Sequence, residues 1–176
     1  MRRGMVFVTG IHGVGKTTFC EHLARSLALP TFTASSIIRD CGEMNTDPAR
    51  LNGEVLSNAE IFRRAILQLG QSHRTFFVDG HTVLLDQDAH FVRIPPSIFA
   101  DLQIFAFVLL YHDVEEVRRR LKCEIPNEPP FLAAFQSAEI EQASFIANQL
   151  GLKFLAHHGS EGPDKITSEI ERLVNA

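Results

Sequence analysis

Gly10-Ile-His-Gly-Val-Gly-Lys16-Thr17 fills every fixed position of the pattern G-x-x-x-x-G-K-[ST], and that pattern works only where a buried strand runs into it and a helix runs out of it. Both flanks are present. Met5 to Thr9 is a short, almost wholly apolar run that stops at Gly10, and Cys20, Leu23, Ala24 and Leu27 behind the motif share one helical face. Glycines in such a loop let successive N–H groups turn inward around phosphate oxygens, and the following helix adds its positive end. The expected nucleotide-binding loop therefore comprises Gly10, His12, Gly13, Val14, Gly15, Lys16, Thr17 and Thr18. Lys16 is expected to reach the β and γ phosphates of a nucleotide, and the Thr17 hydroxyl to ligate Mg²⁺.

The rest of the chain repeats the strand–helix alternation. Apolar runs recur at Thr75 to Val78, Ile104 to Tyr111 and Lys153 to Ala156, the pattern of strands covered on both faces. Between them, Ile61, Ala65, Ile66 and Leu69 share a helical face, and a long helix is expected from Phe131 to Leu150. Asp113 with Glu116 has the spacing of a capping box, and Pro163 suits the first turn of a last helix carrying Ile166, Ile170, Leu173 and Val174. This is an α/β layered fold with right-handed crossovers. His81 to Leu85 and His90 to Ile94, separated by Asp86-Gln-Asp-Ala, read as a small β-hairpin inserted after the third strand. Residues 40–56 and 122–130 are rich in Gly, Asn and Pro and are expected to be surface loops that close over the substrates.

A chain of 176 residues with 45% apolar and 22% charged residues suits one globular domain and excludes the disordered and fibrous classes. A formal net charge of −4 offers no general cationic surface for nucleic acid. No apolar run is long enough to span a bilayer. The N-terminal Met-Arg-Arg-Gly leads straight into a strand without the apolar stretch of a secretory signal, so the cytoplasm is the expected compartment. Cys20, Cys41 and Cys123 are far apart and fit reduced packing residues.

Asp79 ends the run Phe76-Phe-Val-Asp, and a carboxylate at the end of a buried strand lies beside the point where α/β sheets bind ligands. It is the expected second partner of Mg²⁺, through water. Among the arginines at 118, 119 and 120, helical spacing lets one or two face the phosphates. Arg119 and Arg120 are the favoured pair. Arg63 and Arg64 are either solvated or contacts of an acceptor phosphate; His12 and His81 either line the acceptor side of the cleft or pack in their loops. His157 and His158 alternate faces if extended. ATP is expected over GTP because no N-K-x-D tetrapeptide occurs.

Four features in order resemble the P-loop nucleoside monophosphate kinases, in particular the archaeal-type adenylate kinases and related bacterial P-loop ATP-binding proteins. They are Val-Thr-Gly-Ile-His-Gly-Val-Gly-Lys-Thr-Thr at 8–18, a helix ending Ser-Ser-Ile-Ile-Arg39, Val-Asp-Gly-His at 78–81, and Val-Arg-Arg-Arg-Leu at 117–121. The resemblance implies a three-layer fold with a five-stranded parallel sheet in the order 2-3-1-4-5. It also implies one kinase-like domain over 1–176, with an acceptor arm at about 34–70 and a lid at about 122–135. It nominates Arg39 for the acceptor phosphate and places adenine between the helix of Arg118 to Arg120 and the loop at 158–162. Two departures stand out: the chain has no arginine shortly after Asp79-Gly80, and none between Lys122 and Leu150.

The expected activity is Mg²⁺-dependent transfer of the ATP γ-phosphate to a small acceptor, with a nucleoside monophosphate as the first choice. Two alternatives stay open. One is a kinase of a non-nucleotide hydroxyl compound, with Asp79 orienting the hydroxyl. The other is a nucleotide-binding switch or slow ATPase acting on a protein partner, suggested by the arginine-poor lid, since a missing charge donor costs roughly 10³ to 10⁵ in rate.

Overall fold

The computed structural model describes residues 2–40, 51–121 and 125–176, with side chains from residue 58 onward in the helix that begins at Leu51. Along the chain lie β1 (Gly4–Thr9), α1 (Lys16–Leu27), β2 (Thr31–Thr33), α2 (Ala34–Asp40), α3 (Leu51–Ser72) and β3 (Thr75–Gly80). The hairpin β4 (Val83–Leu85) and β5 (Phe91–Arg93) follows, then β6 (Ile104–Tyr111), α4 (Val114–Arg120), α5 (Pro129–Gln149), β7 (Lys153–His158) and α6 (Asp164–Asn175). Among the described residues no helix is long and apolar enough to cross a membrane.

β1 is buried along its whole length because it is paired on both edges and covered on both faces. The parallel sheet runs β2-β3-β1-β6-β7. With the hairpin set aside, this is the order 2-3-1-4-5 that the resemblance implies. Alternation along β1 divides the core: Met5 and Phe7 face α3 and α5, whereas Val6 and Val8 face α1 and α6. Phe7 packs edge-on against Phe62 and Phe99 and tilted against Phe107, with ring centroids 5.0 to 6.1 Å apart. The parallel arrangement brings Thr9, Thr33, Gly80, Tyr111 and His158 to one end of the sheet, where its carboxyl ends open to ligands.

The hairpin forms as expected, pairing Val83 with Arg93 and Leu85 with Phe91. Asp86 shapes its turn by accepting from the backbone N–H groups of Asp88 and His90 at 2.9 and 2.8 Å. Three expectations need correction. The loop expected over 40–56 gives way to helix at Leu51, because Gly53 sits among residues that favour helix and one glycine costs only about 1 kcal/mol there. The loop expected over 122–130 likewise gives way to helix at Pro129, two residues before the expected Phe131. Residues 125–128 are non-helical as expected, and 41–50 and 122–124 lie outside the described residues. The capping box at Asp113 is not made either: the helix starts without a side-chain cap, and Glu116 turns forward to Arg119 and Arg120 instead of back.

Candidate active site

The loop between β1 and α1 has positive φ at Gly10, Gly13 and Gly15 (149°, 82° and 100°). Space confirms the need at Gly10, where a Cβ would fall 2.4 Å from the Leu110 carbonyl oxygen. The loop returns into Lys16, the first residue of α1, whose buried ammonium donates to the carbonyls of Gly10 and Ile11 at 2.7 and 3.1 Å. Thr17 and Thr18 remain exposed in the first turn, above the helix N-terminus.

Asp79 is the penultimate residue of β3 and only 7% exposed. Thr17 lies close to it, and its Oδ2 is buried with no hydrogen-bond partner. Burial pushes its carboxyl up, against the opposing pull of Lys16 and Thr17. Two imidazoles lie next to it, His12 from the loop and His81 after β3, with ring centroids 4.3 Å apart. Burial, with Lys16 close by, pushes His12 down to about 4 and His81 well below the ordinary histidine range, so both are neutral at pH 7. His81 lies close to the backbone of Gly10, and its Nδ1 is a second buried polar atom without a partner.

Two spaces meet at His12. An open trough of about 700 Å³ is lined by His12, Gly13, Gly15, Lys16, Thr17, Thr18, Arg119 and Arg120. It shares Gly15, Thr18 and Arg120 with a further cleft of about 470 Å³ that reaches His157 and Gly159. On the other side of His12 lies a cavity of about 320 Å³ with Asp79 and His81 at one end and mostly apolar walls.

The sequence-nominated arginines separate into two groups. Arg119 and Arg120 line the trough, and both are ion-paired with Glu116, at 2.6 and 2.5 Å. Those partners hold the Glu116 carboxyl down at about 2. Arg118 points elsewhere, half exposed beside Glu115 at 3.6 Å. Arg63 and Arg39 line none of these spaces: Arg63 is bound to Asp101 and faces Glu60 at 3.8 Å, and Arg39 is exposed at the end of α2. The acceptor-side role expected of these two is therefore not built into the described cavity. Proximity along α3 says nothing about a partner such as Asp101, which tertiary folding supplies.

Sequence reasoning missed the residue that ties this site together. Glu139, fully buried on α5, accepts from the Thr9 hydroxyl, from the N–H of Gly10 at 3.2 Å, from Thr82 N–H at 2.9 Å and from Val83 N–H at 2.7 Å. One carboxylate thus joins the start of the glycine loop to the turn that carries Asp79 and His81. Gln136 and Gln142, one turn to either side on α5, bind the backbone of His112 and the carbonyl of Ile94. The available signal was Gln136, Glu139 and Gln142 at intervals of three in a helix whose buried positions are otherwise apolar.

A family model described as an AAA domain matches residues 9–126, about two thirds of the chain. No curated protein sequence matches. Among solved structures, shikimate kinase from Bacteroides thetaiotaomicron is 17% identical with a TM-score of 0.63, covering 98% of this chain and 99% of that one. Shikimate kinase from Acinetobacter baumannii, in complex with shikimate, is 16% identical with a TM-score of 0.64, covering 98% and 93%. Shikimate kinase from Aquifex aeolicus is 12% identical with a TM-score of 0.57, covering 97% and 96%. Likeness at this identity is a likeness of fold, and with the matched model it places the molecule: the chain belongs to the AAA domain family and has the P-loop kinase fold.

Proposed function

We propose that this chain is a Mg²⁺-ATP-dependent phosphotransferase that moves the γ-phosphate of ATP to a hydroxyl of a small acceptor. The observation that carries the reading is the junction at His12, where a phosphate-binding trough and a ligand-sized cavity meet beside Lys16 and Asp79. The triphosphate lies along the loop, with the amides of residues 12–18 and the N-terminus of α1 on its oxygens. Lys16 leaves the carbonyls of Gly10 and Ile11 for the β and γ phosphates, and Arg119 and Arg120 reach the trough from α4. The adenine occupies the continuing cleft between Arg120 and Gly159.

The residues present fit a hydrated divalent ion: an exposed hydroxyl, Thr17, close to a carboxylate one oxygen of which lacks a partner. Thr17 and Asp79, the latter through water, would hold Mg²⁺, which neutralises charge on the β and γ phosphates. Asp79 also lines the acceptor cavity and orients the attacking hydroxyl, whose oxygen bonds to the γ-phosphorus as the bond from that phosphorus to the β–γ bridging oxygen breaks. The hydroxyl proton passes to the Asp79 carboxylate. Neutral His12, on the boundary, donates to a γ-phosphate oxygen without adding a fixed charge.

The nucleoside monophosphate implied by the resemblance finds less support here than a hydroxyl acceptor, because neither Arg39 nor Arg63 lines the cavity. Calorimetric titration of Mg²⁺-ATP tests the donor half. Wild type is expected to bind at least about tenfold tighter than Lys16→Ala, in line with the loss of a charge-assisted phosphate contact. Equal affinities would refute the assignment of the trough.

A further inference from the structure

Resting on that phosphotransferase reading, we infer that the hairpin of β4 and β5 is a fixed wall of the acceptor cavity, and that Leu84 and Ile94 on it select an acceptor with an apolar face. A two-stranded hairpin standing apart from the main sheet is at best marginally stable by itself and must pack on something else to hold a shape. Alternation along the strands decides which face does this. Val83 and Leu85 turn to α5, where they join Phe135, and Phe91, opposite Leu85, stacks on the Phe135 ring at a centroid distance of 5.5 Å. Arg93, opposite Val83, reaches the same helix and donates to Glu141 at 2.8 Å.

Polar bonds close both ends of the hairpin. The N–H groups of Thr82 and Val83 donate to the Glu139 carboxylate at 2.9 and 2.7 Å, and at the far end Gln142 donates to the Ile94 carbonyl at 2.6 Å. Ile94 N–H returns to the carbonyl of Thr82 at 2.8 Å, so the two ends are also tied to each other. Glu139 and Gln142 are both buried, which strengthens these bonds. The opposite face of the hairpin is left for a ligand. Leu84, between Val83 and Leu85, turns away from α5, and with Ile94 it borders the cavity of about 320 Å³ that Asp79 also lines. Ile98 and Phe99 extend the same surface. A hydroxyl turned against these four side chains would give up its water without a bond in return. A hydrophobic wall of this kind discriminates against one added hydroxyl by up to about 100-fold. The volume is at the small end of ligand sites and suits a single six-membered ring.

Two measurements on the full chain test this. Hydrogen exchange without ligand reads the wall: the amides of Thr82, Val83 and Ile94 should exchange within about tenfold of those of β1. Faster exchange than that marks a flap and overturns the inference. Ligand-observed NMR, with Mg²⁺ and a non-hydrolysable ATP analogue present, reads the selection by comparing cyclohexanol with myo-inositol, the same ring with a hydroxyl on every carbon. Cyclohexanol is expected to bind at least about tenfold tighter. Leu84→Thr should narrow that difference at least about threefold, and Leu84→Phe, which fills the space, should weaken cyclohexanol about tenfold. Thermal melts establish that the variants fold, and either variant is enough to decide. Inositol bound as tightly as cyclohexanol, no binding of cyclohexanol, or binding that ignores Leu84 overturns the inference. The two claims fail differently: an ATP analogue that does not bind, while cyclohexanol binding still answers to Leu84, removes the phosphotransferase and leaves the wall. Inositol bound tighter than cyclohexanol beside a bound analogue removes the wall's selection and leaves the phosphotransferase.

Discussion

Glu139 shows how much one side chain can carry. Its carboxylate collects four donors from two loops with no charged partner among them, and each such bond to an ionised acceptor contributes about 1.5 to 3 kcal/mol. Glu139→Ala strands the N–H groups of Gly10, Thr82 and Val83 in a closed interior. Urea unfolding should show a loss of about 3 kcal/mol or more, with Glu139→Gln intermediate because its amide presents a donor to donors. His12 carries a different signature. Its folded value of about 4 lies below the ordinary 6.5, so between those two pH values the unfolded chain binds a proton that the folded chain refuses. Stability must therefore fall as pH drops from about 6.5 to 4 and stay flat above that window, as far as His12 is concerned. Comparing the pH dependence of the unfolding midpoint for wild type and His12→Asn isolates this share, which should vanish in the variant.

At the scale of elements, α4 presents its two trough-facing arginines already claimed by Glu116. Phosphate must compete with that carboxylate for them. Glu116→Gln should accordingly tighten Mg²⁺-ATP binding by up to about fivefold, the range of an exposed ion pair, and Arg120→Ala should weaken it roughly tenfold. Calorimetry reads both. Legibility from sequence follows the same division between local and tertiary causes. Lys16 and Thr17 are readable because spacing within eight residues fixes their geometry, and Asp79 because the end of an apolar strand fixes its place. The three-residue strand β2 has no apolar run and exists because β3 offers it an edge. Arg63 was nominated on charge alone, yet its partner Asp101 comes from the turn before β6. Glu139 contacts residues 56 to 130 positions away, a separation that no local pattern spans.

For the molecule as a whole, the sheet acts as a rigid plate whose carboxyl end is divided by His12 into a charged, open half and an apolar, enclosed half. Phe7 couples the two demands: it is central to the aromatic cluster under α3 and also forms part of the cavity wall, and Gly80 lies so close that an added Cβ would be 2.8 Å from its ring. Core packing and cavity shape are thus set by the same side chain. The division also separates the closing motion expected of residues 40–56 and 122–130 from the chemistry, since Lys16, Thr17, Asp79 and His12 are already assembled on the sheet. The direct test of phosphoryl transfer at this junction is ADP formation from Mg²⁺-ATP, measured with and without fractions of small-molecule metabolites. ADP should form faster with at least one fraction than with none, and that acceleration should fall by about 100-fold in Lys16→Ala and in Asp79→Asn. ADP formation that no fraction accelerates, or that survives both substitutions, would contradict phosphoryl transfer at this site.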